Sequence, residues 1–533
     1  MSLPPPDEDY PHPFHLDPAD GESAPEGVPD PVTAAELRMC RLSAQLREKD
    51  RWWDKCRDAS ITSRWIAEVK QQQEGMWEWE KLTDNMVYHL QLNFVIEELR
   101  AYADRRDAEL GIEPGPFDMI FQSDCLIPDS LTQELKDAVR PLEDVPDAEK
   151  DWHPGSDQRV IDLVHPSICP LVYSESWGTS SGTVKTFSYE KEDDGREEID
   201  PVFLSERFQW LPSDFMVSAE GTVKLTSPYI NNISPEHHDA LVPTIKRVMS
   251  RAVPMWELVL SELGGSRTRR VRDPCCVWDE DDMNAGDEED QDKEDDDEDK
   301  DDVRVAQRQT EKARQRAKER QEIEARAENM IAFPEWTRVR VLRANLTLPD
   351  ALDHYDAPDD AQMITLRERP IQVIVKLANI VLTPDKPEYP GGVWHVEGMG
   401  NESIVSTFIY YYDSDNIEPA SLGFRQAVAS PPYHQQDDVA CMIMLYNLRR
   451  EDALIQDVGS VQTKSGHCIA FPNVYHHRVS PFKLIDASKP GVRRILVFFL
   501  VDPTRRIPSA TTSVTTAITR LHPRGGPTGY PQT

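Results

Sequence analysis

The spacing of apolar residues divides the chain into a helical first half and a strand-rich second half. Thr33-Ala-Ala-Glu36 has the spacing of a capping box and predicts the start of a helix. From about 84 to 106, apolar residues recur at the helical period and predict a helix with one buried face. A further helix is predicted from His237 to Leu263, where Gly264-Gly265 ends it. We therefore expect a helical and mixed α/β region over 33–263.

Short apolar and aromatic runs separated by turns dominate residues 336–508. The clearest runs are 371–382, 404–412, 467–471 and 493–501. Many β-segments of this kind are typical of a double-sheet jelly roll or cupin-like barrel, the double-stranded β-helix. The predicted fold class is therefore α+β, with a C-terminal barrel and a large helical N-terminal region packed on it.

Charge is concentrated in one segment. The formal net charge is −36, but Asp279 to Asp302 holds 17 acidic residues against two lysines, which leaves −21 for the rest of the chain. We interpret 264–305 as a self-repelling disordered insert that could dock a basic partner. The charged stretch 306–335 predicts a solvent-exposed helix. A nucleic-acid-binding surface needs clustered Lys and Arg, so this class of function is not expected.

The ends of the chain and its cysteines suggest where the protein resides. Residues 1–32 are rich in Pro, Asp and Glu and are expected to be disordered, and 509–533 are expected to form a flexible tail. The sequence shows neither a secretory signal nor an apolar run of membrane-spanning length, so no membrane partner is expected. Eight cysteines without a CxxC pair indicate reduced thiols in a cytoplasmic or nuclear compartment.

One segment of the second half carries the strongest chemical signal. Side chains alternate faces along a strand, so His395 and Glu397 point the same way. A second imidazole, His477, ends a later strand-like run. Two imidazoles and one carboxylate on a common face form a facial triad that holds Fe(II) and leaves positions open for a cosubstrate and O2. We therefore predict an Fe(II) site at these three residues.

The His-x-acid pattern alone is weak evidence. With 14 His and 95 acidic residues in 533 positions, chance gives about 2.5 such pairs (14 × 95/533), and four occur, beginning at residues 15, 237, 354 and 395. The last differs because Gly391-Gly392 lets the backbone bend or approach closely before it. Either His476 or His477 could be the second histidine ligand, since the two point to opposite faces of a regular strand. His477 is preferred by its spacing to Val479.

Two further sets of residues complete the predicted site. Arg493, with Arg494 as the alternative, could hold the far carboxylate of 2-oxoglutarate bidentately. One or two of the tyrosines on the strand 404–412 should face the pocket, and Tyr410 and Tyr412 are the candidates for cosubstrate binding. Residues that could line a substrate site in the N-terminal half are Trp210, Tyr229, Asn231 and Asn232.

The sequence also resembles a known family. The run Lys376 to Glu402 closely resembles the fungal family named domain of unknown function 4246, and so do the segments 151–156, 163–167, 210–213, 229–232 and 477–482. The resemblance covers roughly residues 35 to 508, and it implies one long unit.

The β-rich half is similar to the Fe(II)- and 2-oxoglutarate-dependent dioxygenases, including prolyl-hydroxylase-like members. Their pattern implies His395, Glu397 and His477 as metal ligands and Arg493 as the cosubstrate anchor. The chain departs from that pattern with Glu where most members have Asp, and with His476 where Gln is expected.

These observations favour an Fe(II)- and 2-oxoglutarate-dependent oxygenase, in particular a hydroxylase, acting on a small molecule or a protein side chain. The alternative is a non-catalytic binding or scaffold protein that keeps the barrel, because a fold does not guarantee activity. A third option is a cupin-type isomerase or hydrolase that holds Zn(II) or Mn(II).

Overall fold

The computed structural model describes most of the chain. The described residues are 10–14, 28–74, 89–180, 183–187, 199, 201–265, 268–271, 351–356, 363–431, 445–448 and 453–512. Nearly all of the predicted acidic insert, the whole predicted helix 306–335 and the tail beyond 512 lie outside these residues.

The first half of the described chain is mainly helical. Its helices are α1 (Ala34–Arg47), α2 (Trp52–Lys55), α3 (Ala59–Glu74), α4 (His89–Arg105), α5 (Asp129–Glu143) and α6 (Leu241–Leu263). The predicted N-cap of α1 is confirmed, because the Thr33 hydroxyl accepts a hydrogen bond from the Glu36 amide at 3.2 Å. The predicted end of α6 at Leu263, just before Gly264, is confirmed as well.

Strands begin in the first half and dominate the second. They are β1 (Glu113–Pro114), β2 (Phe121–Ser123), β3 (Val160–Val164), β4 (Leu171–Val172), β5 (Trp177–Ser180), β6 (Thr183–Thr186), β7 (Phe208–Gln209), β8 (Ser213–Val217), β9 (Val223–Leu225), β10 (Pro370–Leu382), β11 (Glu388–Tyr389), β12 (Ile404–Asp415), β13 (Ala420–Ala427), β14 (Ile455–Thr463), β15 (Cys468–Pro472), β16 (His476–Val479), β17 (Phe482–Lys483) and β18 (Gly491–Val501).

Two antiparallel sheets contain most of the described strands of the second half, and β11 and β17 form a further two-stranded sheet. The large sheet has the order β1-β2-β15-β12-β18-β10-β8-β9, and β3 pairs with β10 beside β8, so nine of the described strands belong to it. The small sheet has the order β14-β13-β16 among the described strands. The fold is therefore a mixed α+β fold with one large antiparallel sheet, as the residue patterns predict at this level.

The two faces of the large sheet are covered differently. On its outward face, Phe408 and Phe498 pack with Trp256 of α6, at ring-centroid distances of 6.4 and 6.2 Å. On its inward face, Val497 and Phe499 belong to a second apolar cluster that also contains small-sheet residues. Since side chains alternate along a strand, neighbouring residues of β12 and β18 enter different clusters.

Part of the segment predicted to be disordered is buried. Tyr10 and His12 are 1% and 3% exposed, and the His12 ring lies 3.1 Å from the Asp502 carboxylate. The prediction of disorder over 1–32 is therefore wrong for these residues, because an aromatic and an imidazole side chain find partners far along the chain. None of the described helices is long and apolar enough to cross a membrane.

Candidate metal centre and its surroundings

A backbone bridge brings His395 and His477 together. The His395 amide donates to the His477 carbonyl at 3.2 Å, and the His477 amide donates back to His395 at 2.9 Å. Residues directly opposite in an antiparallel pair project to the same face, and the two ring centroids are 4.3 Å apart. Gly391 permits this close approach, because its φ is +91° and a Cβ there would lie 3.0 Å from the Val479 carbonyl oxygen.

The third group is Glu397, two residues along from His395. Its Oε1 lies 3.6 Å from His395 Nε2 and 3.3 Å from His477 Nε2. The ligand atoms of the three side chains all lie within 4.8 Å of one another. His477 and Glu397 are 4% and 12% exposed as side chains, whereas His395 is 42% exposed. The group is therefore closed on one side and open beside His395.

Hydrogen bonds outside the three side chains fix their orientation. His395 Nδ1 donates to the Val393 carbonyl at 2.8 Å, which directs Nε2 toward Glu397. The Asn473 side chain clamps the Glu397 backbone, since its Oδ1 accepts from the amide and its Nδ2 donates to the carbonyl, both at 2.9 Å. Sequence reasoning missed Asn473, because its two hydrogen bonds to Glu397 are to backbone 76 residues away.

The charges of the three groups suit a metal ion. Burial favours the neutral acid, but the two imidazoles outweigh it and hold the pKa of Glu397 well below its ordinary value. Partial burial opposes protonation of His395, yet the Glu397 carboxylate raises its pKa, while burial lowers the pKa of His477. A metal with bonds of roughly 2.1 Å holds neighbouring ligand atoms about 3 Å apart. The observed separations of 3.3 and 3.6 Å are close to that value, so the residues fit a facial metal site.

His476, the alternative ligand, points elsewhere. It pairs across the small sheet with Arg425 of β13, whereas His477 pairs with Phe424. Burial and the nearby Arg425 lower the pKa of His476. Of the two histidines, only His477 joins the group with Glu397.

Arg493 and Arg494 also separate onto different faces. Arg493 is 2% exposed, and its Cζ lies 4.5 Å from the Phe482 ring centroid and 5.9 Å from that of Tyr411. Its Nη2 lies 3.4 Å from the Glu418 carbonyl, while Nη1 has no partner among the described residues. Burial lowers its pKa. This inward-facing guanidinium, which has no acidic partner in the described part of the chain, is therefore available to an anionic ligand.

Arg494 is already satisfied on the outward face. Its Nε donates to Glu143 Oε1 at 2.7 Å, and its Nη1 donates to Asp413 Oδ2 at 2.6 Å. These bonds tie β18 to α5 and β12. The alternative that Arg494 anchors a cosubstrate is therefore disfavoured by its contacts.

The choice of Tyr410 and Tyr412 for the site is wrong in this structure. The Tyr410 hydroxyl lies 2.6 Å from the Thr132 hydroxyl of α5, and Tyr412 belongs to the same outward apolar cluster. The residue between them, Tyr411, faces inward beside Arg493. Successive tyrosines do project to opposite faces of the strand, but a run of three tyrosines does not reveal which face is the inner one.

The residues predicted to line a substrate site fall into two groups. Trp210 is half-buried, stacks on the inward-facing Phe499 at 5.8 Å and meets the His165 ring edge-on at 6.1 Å. Tyr229 instead packs in a separate small apolar cluster. The Asn231 and Asn232 amides donate to the Pro166 and Leu163 carbonyls at 3.2 and 2.9 Å, so they brace the end of β3.

A second group of polar residues, missed by sequence reasoning, lies beside Trp210. Ligand atoms of His153, Asp162 and His165 lie within 4.8 Å of one another. However, His165 Nδ1 accepts a hydrogen bond from the Ser167 amide at 3.2 Å. A neutral imidazole that accepts at Nδ1 carries its proton on Nε2. His165 is therefore poised to donate a hydrogen bond there and not to ligate a metal.

Comparisons with solved structures give weak likenesses. A selenomethionine-labelled Fe(II)/α-ketoglutarate-dependent dioxygenase, TqaL, aligns at a TM-score of 0.17 with 12% identity, over 34% of this chain and 58% of that one. IDO from Bacillus thuringiensis aligns at 0.15 with 11% identity, over 25% and 47%. A bsmA homologue from Methylobium petroleophilum PM1 aligns at 0.17 with 12% identity, over 34% and 55%. The chain thus spans only about half the length of these proteins, and such TM-scores do not establish a shared fold.

Family models give a clear result. The model described as a protein of unknown function, DUF4246, matches residues 89–516, and that of the DUF4246 N-terminal domain matches residues 3–68. No curated protein matches the sequence. Because the family models cover most of the chain, the protein belongs to the DUF4246 family.

Proposed function

We propose that the protein is an Fe(II)- and 2-oxoglutarate-dependent oxygenase, in particular a hydroxylase. One observation carries this proposal: two imidazoles and a carboxylate converge within 4.8 Å, while buried Arg493, which has no acidic partner among the described residues, also projects inward. The triad supplies three ligands on one side of a metal and leaves the opposite side open. The arginine supplies a fixed cation for a dicarboxylate.

The strand order supports a double-stranded β-helix as the scaffold. Four strands run β15-β12-β18-β10 in the large sheet, and β14-β13-β16 in the small sheet are extended by the bridge at His395. Successive segments cross between the sheets, since β10 lies in the large sheet, the segment at His395 beside the small one, and β12 in the large sheet again. In this arrangement the triad would lie between the two sheets.

Each residue has a definite task in this proposal. His395, Glu397 and His477 would hold Fe(II), and Asn473 would keep the carboxylate in place through its backbone. Arg493 would bind the far carboxylate of 2-oxoglutarate, with the Tyr411 ring beside it. Bound Fe(II) would supply the redox chemistry, in which O2 oxidises the substrate while 2-oxoglutarate loses CO2 and becomes succinate. The protein contributes geometry and charge balance, and the exposed side of His395 leaves an entrance for the substrate.

Anaerobic titration with Fe(II) and 2-oxoglutarate tests the proposal. The wild-type protein should develop the metal-to-ligand charge-transfer band of a chelated keto acid, and His395→Ala should abolish it. His354→Ala is a matched control, because His354 also begins a His-x-acid pair but its side chain is 80% exposed and contacts Glu97 of α4. No band in the wild type, or an undiminished band in His395→Ala, would rule the proposal out.

A second measurement separates an oxygenase from a binding protein with the same metal group. With O2 admitted and no substrate added, slow uncoupled formation of succinate from 2-oxoglutarate is expected. The His395→Ala protein should form none. A charge-transfer band without any succinate would favour the non-catalytic alternative.

A further inference from the structure

We propose that Asp162, His165 and Lys376 form a subsite for the carboxylate and ammonium groups of a free amino acid, next to the metal centre. This inference rests on the proposed oxygenase function and assigns its substrate class. All three residues lie outside the triad and the cosubstrate anchor.

Strand pairing places these residues on the inward face. Lys376 of β10 lies opposite Val497, and Asp162 of β3 lies opposite Ala378, two residues further along β10. Residues that alternate along β10 share a face, so Asp162 and Lys376 project to the same side. His165 follows β3 directly and reaches the inward-facing Phe499 through the Trp210 ring. The subsite is therefore part of the wall that faces the small sheet.

A row of paired residues connects this wall to the triad. Across the large sheet, Phe471 pairs with Thr407, Thr407 with Phe499, and Phe499 with Ile374 of β10. The His477 ring packs on Phe471 at 4.9 Å, at one end of this row. Lys376 lies two residues from the other end. Lys376 lies close enough to act on the subsite, since its charge is among the causes that lower the pKa of His165.

Each residue of the subsite has one polar group without a partner in the described part of the chain, and these groups differ in kind. His165 Nε2 and Asp162 Oδ1 are buried and have no hydrogen-bond partner among the described residues. The residues are only 5% and 7% exposed. Among the described residues, the half-buried Lys376 ammonium has no hydrogen bond or ion pair either. Buried polar groups are nearly always satisfied, so a ligand is the natural partner for a free donor, a free acceptor and a free cation.

Their protonation states define that ligand. Burial, reinforced by Lys376, lowers the pKa of His165 to about 4, so near neutral pH it is a neutral imidazole that donates from Nε2. Burial favours neutral Asp162, but the hydrogen bond from His153 Nδ1 at 2.8 Å outweighs it and lowers the pKa of Asp162. The wall thus offers one cation, one neutral donor and one anionic acceptor. A zwitterion matches it, with its carboxylate at Lys376 and His165 and its ammonium at Asp162 Oδ1.

The test uses the full chain loaded with Fe(II) and 2-oxoglutarate without O2, and the twenty common free L-amino acids as probes. At least one should perturb the charge-transfer band and raise the midpoint of thermal unfolding. Its N-acetyl and carboxamide derivatives, which lack one charge each, should bind at least about tenfold more weakly. Binding of none of the amino acids, or equal binding of the derivatives, would overturn the inference.

Two variants test whether Lys376 and Asp162 bind the amino acid. Lys376→Met should weaken amino-acid binding at least about tenfold and leave the 2-oxoglutarate band intact. Asp162→Asn should have the same effect. Of the two variants, Lys376→Met is less prone to a folding defect, because Lys376 has no described hydrogen bond or ion pair to lose. Unchanged amino-acid binding in both variants, or loss of the 2-oxoglutarate band in Lys376→Met, would contradict the assignment.

Failure of the oxygenase proposal would remain distinguishable. If the wild type shows no charge-transfer band, amino-acid binding can still be followed by calorimetry on the same protein. Binding that disappears in Lys376→Met would then support the subsite without the oxygenase. No heat of binding would overturn the subsite as well.

Discussion

The two faces of the large sheet use the same residue types in opposite ways, and β18 shows this at adjacent positions. Arg494, on the outward face, donates to Glu143 and Asp413 at 2.7 and 2.6 Å. Arg493, on the inward face, reaches only a backbone carbonyl at 3.4 Å and leaves Nη1 without a described partner. Leaving a buried donor unsatisfied costs about 1–3 kcal/mol. The outward face is therefore arranged for stability, whereas the inward face keeps polar groups available to ligands.

The same contrast recurs on β12 and β16. Tyr410 hydrogen-bonds to α5, while its neighbour Tyr411 faces inward with no described hydrogen bond from its hydroxyl. His476 lies beside Arg425, while its neighbour His477 meets Glu397 at 3.3 Å. In the tyrosine pair one residue hydrogen-bonds to a helix and the next does not, and in the histidine pair only His477 joins the metal group. Substituting both members of a pair in the same way therefore tests the contrast directly.

The largest effect is expected for the histidine pair. His477→Ala removes one of three metal ligands. Fe(II) affinity should therefore fall by more than roughly 10–100-fold, which is the usual effect of removing a residue that only hydrogen-bonds to a ligand. His476→Ala should leave Fe(II) binding unchanged. Anaerobic metal titration measures both variants, and circular dichroism checks that both fold. Equal losses in the two variants would remove the distinction between the faces of β16.

The arginine pair should give the next largest effect, on the cosubstrate. Arg493→Met should weaken 2-oxoglutarate binding by about 2–5 kcal/mol, the usual consequence of removing one partner of a buried charge pair. Arg494→Met should bind 2-oxoglutarate as the wild type does. The charge-transfer titration reports both affinities. Weaker binding in Arg494→Met alone would exchange the roles assigned to the two residues.

The sequence predicted His395 and Glu397 as one group because strand alternation is a local rule, whereas the bridge to His477 joins distant parts of the chain. His395 and Glu397 share a face at a spacing of two residues, and the glycines before them allow the close approach to β16. The end of the long helix α6 was predicted for a similar reason, since the glycines after it are a local signal, whereas the helix begins at Leu241 and not at the predicted His237. Arg493 was likewise favoured over Arg494 by counting alternate residues of a strand.

Other features depend on contacts that no local pattern encodes. Which tyrosine of β12 faces inward depends on where α5 and α6 pack, so Tyr410 and Tyr412 were chosen wrongly. Asn473 acts on backbone 76 residues away, and His165 becomes a free donor only through the local turn to Ser167. His12 meets Asp502 across almost the whole chain. These contacts exist only after the two halves have packed together.

The third largest effect is on the free energy of unfolding, and here the substitution of Arg494 should matter more than that of Arg493. Arg494→Met should lower the free energy of unfolding by roughly 1.5–3 kcal/mol, because hydrogen bonds to Glu143 and Asp413 are lost at side chains only 19–24% exposed. Arg493→Met should change it by less than about 1 kcal/mol, since it loses no acidic partner and Met can keep the packing on Phe482. Denaturant unfolding of the two variants measures both values. A larger loss for Arg493→Met would show that its cation stabilises the fold.

The smallest effect is expected for the tyrosine pair, and it should separate stability from binding. Tyr410→Phe removes the 2.6 Å hydrogen bond to Thr132 and should lower the free energy of unfolding by about 0.5–1.5 kcal/mol without affecting 2-oxoglutarate. Tyr411→Phe removes a hydroxyl with no described hydrogen bond, so stability should change little. Because the Tyr411 ring lies beside Arg493, its hydroxyl is available to the same carboxylate, and loss of that hydroxyl should weaken 2-oxoglutarate binding several-fold. Parallel denaturant and charge-transfer titrations would show each variant changing one property only, and a stability loss confined to Tyr411→Phe would mean that the inward face also holds the fold together.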